Sequence, residues 1–255
     1  MPLLSGQPKS PLPVYYWTKN KQSCLICDEK TDAPFPLCHA CELDLPWLGA
    51  QCQRCALPLP LPLPLPVDGI CPDCQQKTPA FERVIAPWRY EFPLDSLISR
   101  FKHQAHWPFG HLLGERLAEH LREQFAAALP KPDLLLPVPL SKVRQRERGF
   151  NQAALLARWL GKALHIEHLP HALQRLRNTP AQQGLDAARR KRNLRGAFAL
   201  ADNFSAHGRH IALVDDVLTT GATVQALAQL LCQNGAVRVD AYCIARTPKA
   251  DAKMR

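Results

Sequence analysis

"IALVDDVLTTGATVQALAQLL", residues 211–231, decides how this chain is read. Ile211 to Val214 are uninterrupted apolar residues, and such a short run suits a strand buried on both faces. Asp215 and Asp216 follow directly. Thr219, Thr220, Gly221, Ala222 and Thr223 then make a turn of small residues. Val224, Leu227, Ala228 and Leu231 come next at i, i+3, i+4 and i+7, the spacing of one apolar helix face. Asn234-Gly235 closes that helix, since glycine takes the left-handed cap at no steric cost. The stretch is therefore a strand, an acidic tip, a small-residue turn and a helix. What needs explaining is why a buried strand should end in two adjacent carboxylates.

The flanking sequence places this unit in an α/β pattern. "FERVIAPWRYE" (81–91) predicts a strand with flanking turns, and 94–102 and 109–128 predict helices. Leu113, Leu117, Leu121, Phe125 and Leu129 recur every four residues along the second of these. "DLLLPVPL" (133–140) predicts a central parallel strand, followed by a basic loop. The helix after it starts with Asn151 as N-cap, a side chain that can accept from an orphan backbone N–H. "VRVDAYCIAR" predicts a final alternating strand. Strands alternating with helices imply a mostly parallel sheet with right-handed crossovers.

In such sheets ligands bind beyond the carboxyl ends of the strands. Carboxylates there accept hydrogen bonds from vicinal hydroxyls and help hold Mg²⁺ directly or through water. A small-residue turn opening a helix wraps phosphate with its backbone N–H groups, supported by the helix dipole. A sugar diol followed by a phosphate matches a 5-phosphorylated ribose. The plainer reading is that Asp215 and Asp216 only cap the turn.

The N-terminal third carries different chemistry. Cys24/Cys27, Cys38/Cys41, Cys52/Cys55 and Cys71/Cys74 are four C-x2-C knuckles, separated by ten, ten and fifteen residues. Two knuckles complete a tetrahedral Zn²⁺ site, so eight cysteines make two structural sites of a duplicated zinc ribbon. Sequential pairing is the expectation, though spacing alone also allows an interleaved one. Cys232 and Cys243 fall outside the pattern and read as small apolar fillers. "ALPLPLPLPLPV" (56–67) reads as a stiff polyproline loop inside the second ribbon.

The formal net charge is +10. The segment 142–196 holds 13 Lys/Arg against 3 Asp/Glu, which accounts for the whole excess. A concentrated positive field attracts polyanions; the alternative is a solvated basic face. Lys102 could reach the site from the preceding segment, though it reads first as a surface lysine; His103, His106 and His111 read as surface or packing residues, the alternative being a metal site without a clear fixed ligand spacing. No apolar run reaches the length of a membrane helix. The start "MPLLSGQPKS" lacks the pattern of a signal peptide, so a cytoplasmic location without membrane insertion is expected. Clustered cysteines in a reducing compartment point to metal or redox chemistry; with neither a thioredoxin-like strand–helix context nor a single privileged pair, metal is the reading over a redox dithiol.

Residues 211–223 resemble the PRPP (phosphoribosyl pyrophosphate) signature of type I phosphoribosyltransferases. "PVPLSKVRQRERGFNQ" (137–152) and "RNTPAQQGLDAARRKRNLRGAF" (177–198) resemble two further signatures of the ComF family, whose double zinc ribbon also matches the paired cysteines. The resemblance implies a type I phosphoribosyltransferase-like parallel sheet flanked by helices over residues 79–250, behind a double zinc ribbon over 20–78. It implies ribose contacts from Asp215 and Asp216 and a 5-phosphate held by Thr219, Thr220, Gly221, Ala222 and Thr223. Val138 and Pro139 would form the pyrophosphate turn, with Arg144 and Arg148 on its oxygens. Arg189, Arg190 and Lys191 would lie on a segment closing over the anion. The ligand would be PRPP or another phosphorylated ribose with Mg²⁺, beside two Zn²⁺. The implied setting is DNA uptake or utilisation. Three roles stay open: a phosphoribosyltransferase of unknown acceptor, a non-catalytic PRPP or nucleotide sensor, and a module binding single-stranded DNA or DNA-uptake proteins.

Overall fold

A computed structural model of the chain describes residues 22–59, 69–176 and 196–249. Arg189, Arg190, Lys191 and most of the proline–leucine run lie outside the described residues. By its internal packing the chain divides into two compact units, Met1–Leu43 and Asp44–Arg255.

The first unit contains the antiparallel pair β1 (Gln22–Ser23) and β2 (Lys30–Thr31), and the single helical turn α1 (His39–Leu43). Cys24, Cys27, Cys38 and Cys41 gather here.

The second unit begins with the other ribbon, whose helical turn is α2 (Pro72–Gln76). Then come β3 (Arg83–Ile85), β4 (Trp88–Arg89), α3 (Leu94–Gln104), α4 (Trp107–Ala126) and β5 (Leu134–Pro137). Helices α5 (Lys142–Arg148) and α6 (Gln152–Leu164) follow, then β6 (Glu167–His168), β7 (Leu173–Arg175) and β8 (Phe198–Leu200). The unit ends with β9 (His210–Leu218), α7 (Ala222–Gln233) and β10 (Arg238–Arg246).

The main sheet runs β3-β10-β9-β5-β6 with every pair parallel, and β4 extends the β3 edge along β10. β7 and β8 form a separate antiparallel pair. Helices α4 and α6 cover one face of the sheet and α7 the other. Leu136, Ile211 and Leu213 share a core with Val224, Leu227, Ala228 and Leu231 of α7, as the helical spacing predicts.

Two local readings need correction. β10 does not alternate: Val239 to Arg246 are all buried, because the strand lies between β9 and β3 with helices on both faces. The basic loop after β5 is helical. Ser141 Oγ accepts from the Arg144 N–H, and Gly149 ends the turn at φ +76°. Asn151 caps α6 as expected, accepting from the Ala153 N–H.

Sheet register leaves the tip of β9 projecting. β5 accompanies β9 only as far as Pro137↔Val214, whereas β10 continues to Arg246↔Leu218. Asp215 to Leu218 thus run on past the end of β5, flanked on one side only.

Candidate functional site

The two aspartates alternate across β9, as strand geometry requires. Asp216 turns toward the layer that holds α3, where Lys102 Nζ lies 2.6 Å from its Oδ2. The approach is too oblique for a directed hydrogen bond, so the contact is an ion pair. Oδ1 of Asp216 accepts from the Val217 N–H. Asp216 is 3% exposed, so its carboxylate is turned into the fold. Asp215 is only partly buried, and its Oδ1 accepts from the Asp216 N–H.

Charge converges on Asp215. Burial pushes its carboxyl up to about 6, against the opposing pull of Lys102, Arg148, Arg144 and Arg175. Burial also lowers Lys102 to about 8; Asp215 works against that shift, while Arg148 and Arg144 add to it. Arg144 and Arg148 sit one turn apart on the less exposed face of α5, the i,i+4 relation that puts both on one side. Arg175 ends β7, with its guanidinium over the Phe198 ring at 5.6 Å. Val138 and Pro139 occupy the turn after β5. The Val138 N–H bonds Val214 O, and Val138 O accepts from Asn151 Nδ2.

The loop Thr219–Thr223 follows β9. Thr219 and Thr220 are exposed, and Gly221 is the N-cap of α7 at φ +74°, a conformation that favours glycine. The Gln225 N–H bonds Gly221 O, and the Ala222 N–H reaches Thr220 Oγ1 at 3.4 Å. A cleft of about 1150 Å³ opens beside this loop. Thr219, Thr220 and Gly221 line one side, and Cys55, Leu57 and Lys77 of the second ribbon line another.

Of three residues here, sequence reasoning placed Lys102 at the site only as the alternative to a surface lysine and did not single out Arg175 or Arg246. Lys102 is no surface lysine: its side chain is 16% exposed. It stands four and eight residues after Ile98 and Leu94, on the buried stripe of α3, and that spacing was the available signal. Arg175 and the buried Arg246 carried no comparable sign. Cys232 is exposed, with Sγ 3.6 Å from Ala80 O, and is not the apolar filler its sequence context suggests, whereas Cys243 is buried as expected.

The cysteine clusters are sequential: Cys24, Cys27, Cys38 and Cys41 in one, Cys52, Cys55, Cys71 and Cys74 in the other. Within each, all four sulfurs lie within 4.8 Å of one another. Tetrahedral Zn–S bonds of about 2.3 Å imply S···S separations of about 3.8 Å. Cys27 Sγ–Cys38 Sγ and Cys55 Sγ–Cys71 Sγ are both 3.7 Å. Backbone N–H groups of Ile26, Cys41 and Cys71 point at Cys24, Cys38 and Cys52 sulfurs, as thiolate ligands require. The hydrogen bond between Cys55 and Cys52 lowers the Cys52 thiol to about 4 and raises that of Cys55. Both clusters therefore fit zinc.

Residues 21–75 match the model of the double zinc ribbon domain family. The DNA utilization protein YhgH of Escherichia coli (strain K12) is 36% identical over 212 residues, spanning 83% of this chain and 90% of that one. This chain belongs to the ComF/YhgH family. Competence protein F of Haemophilus influenzae is 35% identical over 69% of this chain and 78% of its own length. Competence protein ComFC of Bacillus subtilis is 29% identical over 89% and 96%. Among solved structures, a Staphylococcus aureus hypoxanthine phosphoribosyltransferase overlaps 57% of this chain and 70% of its own at 13% identity and TM-score 0.35. A purine phosphoribosyltransferase from Pyrococcus horikoshii overlaps 52% and 70% at 18% identity and TM-score 0.33. Overlaps at that level leave the family assignment to the sequence relatives. Among the described residues, no helix is long and apolar enough to cross a membrane.

Proposed function

We propose that the α/β body of this family member binds PRPP or a closely similar 5-phosphorylated ribose, in the service of DNA utilisation or competence. The carrying observation is the acid tip of β9, which runs past the end of β5 and presents a partly exposed Asp215 one loop before the glycine-capped start of α7, in the electrostatic field of Lys102, Arg144, Arg148 and Arg175. The relatives' names supply the cellular setting.

In this reading Asp215 accepts from the ribose hydroxyls. Asp216 acts through its bond to the Val217 N–H and its pairing with Lys102, which hold the strand tip in place. Thr219 to Thr223 hold the 5-phosphate with backbone N–H groups and hydroxyls. Arg144 and Arg148, beside the Val138-Pro139 turn, neutralise pyrophosphate oxygens; Arg189, Arg190 and Lys191 are further candidates. Among the described residues only the cysteine clusters bring three or more metal-ligating side chains together. Mg²⁺ would thus be held mainly by the ligand's phosphates, where it supplies charge neutralisation. Departure of pyrophosphate from ribose C1 would leave positive charge on the sugar and negative charge on the leaving group. The arginines favour the latter, and Asp215 the former. No covalent nucleophile is required. The two cysteine clusters hold structural Zn²⁺.

The test is titration calorimetry of the zinc-loaded protein with PRPP and Mg²⁺, alongside Asp215→Asn. The expected result is saturable binding by the wild type, weakened at least about tenfold in the variant, the loss that accompanies one charge-assisted hydrogen bond. Equal affinities would remove the site assignment. Pyrophosphate release against a panel of bases and amines separates an enzyme from a sensor.

A further inference from the structure

Arg246, the last residue of β10, is 6% exposed and joins two parts of the unit. Its Nε donates to Cys55 O at 3.0 Å. Its Nη1 donates to Leu218 O at 3.0 Å, to Thr247 O at 2.7 Å and to Thr219 O. Leu218 and Thr219 are the end of β9 and the first residue of the small-residue loop. Cys55 belongs to the second cysteine cluster.

The Cys55 carbonyl is fixed by the knuckle that carries it. The Ala56 N–H bonds Cys52 O, and the Cys52 N–H bonds Leu57 O. Ala56 itself is fully buried against the α/β core at φ +54°. A metal held by Cys52 and Cys55 would clamp the two ends of this turn. Its loss would leave the turn, and the carbonyl with it, held only by these backbone bonds and the packing of Ala56. A buried guanidinium that loses an acceptor must move or rearrange its remaining bonds. Those bonds are the ones that hold the entry to the loop.

We infer that Arg246 is a positioning residue linking the second cysteine cluster to the Thr219–Thr223 loop, so that metal in that cluster sets the loop's grip on phosphate. This rests on the reading that the loop holds a 5-phosphate. The ribbon is then part of the ligand site, a role beyond stabilising its own fold.

The experiment is a double-mutant cycle on the full chain with Arg246→Met and Cys74→Ser. Amide exchange of residues 219–222 is read without ligand, and affinity is read with ribose 5-phosphate. Native mass spectrometry counts zinc, and the amides of Leu134 to Leu136 report an intact sheet. Each single variant is expected to speed loop exchange and weaken ribose 5-phosphate about tenfold, the scale of one or two lost hydrogen bonds. Arg246→Met should do so with both zinc ions retained. The double variant should lose little beyond either single one, because both act through the same contact. Additive losses, or loop exchange unchanged in either single variant, would overturn the link. Should Cys74→Ser fail to fold, Arg246→Lys decides. Arg246 reaches Cys55 O from Nε and the loop carbonyls from Nη1, a two-nitrogen span that the single nitrogen of lysine does not reproduce, so wild-type exchange and affinity in Arg246→Lys would also overturn it. A wild type that does not bind ribose 5-phosphate would instead refute the ligand reading, while the ligand-free exchange still judges the link.

Discussion

Lys102 Nζ meets Asp216 Oδ2 at 2.6 Å, with the side chains 16% and 5% exposed. The pair divides two carboxylates that the sequence presents as equivalent. Asp216 is neutralised from within, by a cation on α3. Its neighbour Asp215 keeps exposed surface and feels the charge of Arg144, Arg148 and Arg175. One acid anchors the strand tip, and the other is available to a ligand.

Removing one member of a buried ion pair leaves an uncompensated charge, which costs about 3–5 kcal/mol, whereas replacing both with apolar groups is often neutral. Lys102→Met is expected to destabilise the fold near the lower end of that range, since Lys102 keeps some exposure. Lys102→Met with Asp216→Leu should recover most of the loss. Urea unfolding of the two singles and the double measures the coupling. Additive effects would show that the pair contributes no interaction of its own.

Asp215 makes both stability and binding depend on pH. Its carboxyl is raised from 3.8 to about 6, chiefly by burial. Between those values the folded chain holds a proton that the unfolded chain releases. Stability therefore falls as pH rises through that window and levels off above it. Asp215→Asn lacks this step, so the difference between wild type and variant isolates it. A ligand hydroxyl needs the carboxylate, so the wild-type advantage in PRPP affinity should grow as pH passes about 6. A stability difference flat from pH 4 to pH 7 would contradict the raised carboxyl.

The main elements were legible because their signals are local. The apolar run 211–214, the stripe of α7 and the Asn151 cap each depend on a few adjacent residues. What the sequence hid was set by distant neighbours. β10 looks half-polar, yet it is buried from Val239 to Arg246 because it is a central strand. Asp240 within it is fully buried, and the polarity is absorbed by bonds to His210 at 2.9 Å and to Arg238. Arg246 looks like an ordinary strand-end cation until its carbonyl partners, from residues far apart in sequence, come together. The cysteine pattern gave the ligand set and favoured the sequential pairing that the clusters show, but left an interleaved one open, because pairing depends on how the chain returns between knuckles.

Each cysteine cluster should hold one zinc ion, and losing each should have a different reach. Cys24 to Cys41 lie in the unit that ends at Leu43. In the second unit Leu48, Cys55 and Ala56 pack into the α/β core, and the Val84 N–H of β3 bonds Arg54 O. Metal binding contributes directly to folding in small cysteine sites. Native mass spectrometry should find two zinc ions in the wild type and one in Cys27→Ser or Cys74→Ser. Amide exchange should rise only within residues 22–43 for Cys27→Ser, but should spread to Val84 and its neighbours for Cys74→Ser. The same spread in both variants would contradict the division into units.

The cations of α5 offer the sharpest test of how a ligand is held. Arg144 and Arg148 are displayed on one face of a helix of seven residues, fixed at its start by Ser141 and at its end by Gly149. If they meet a pyrophosphate group, each contributes a charge-assisted hydrogen bond, roughly 1.5–3 kcal/mol. Arg144→Gln and Arg148→Gln should then each weaken PRPP by about ten- to a hundredfold on that scale. Ribose 5-phosphate lacks the pyrophosphate and should lose far less. Arg146 lies off that face and is exposed, so Arg146→Gln should bind PRPP nearly as the wild type does. Calorimetry with both ligands separates the cases. Equal losses for PRPP and ribose 5-phosphate would mean that the arginines act through net charge alone, and the pyrophosphate assignment would fail.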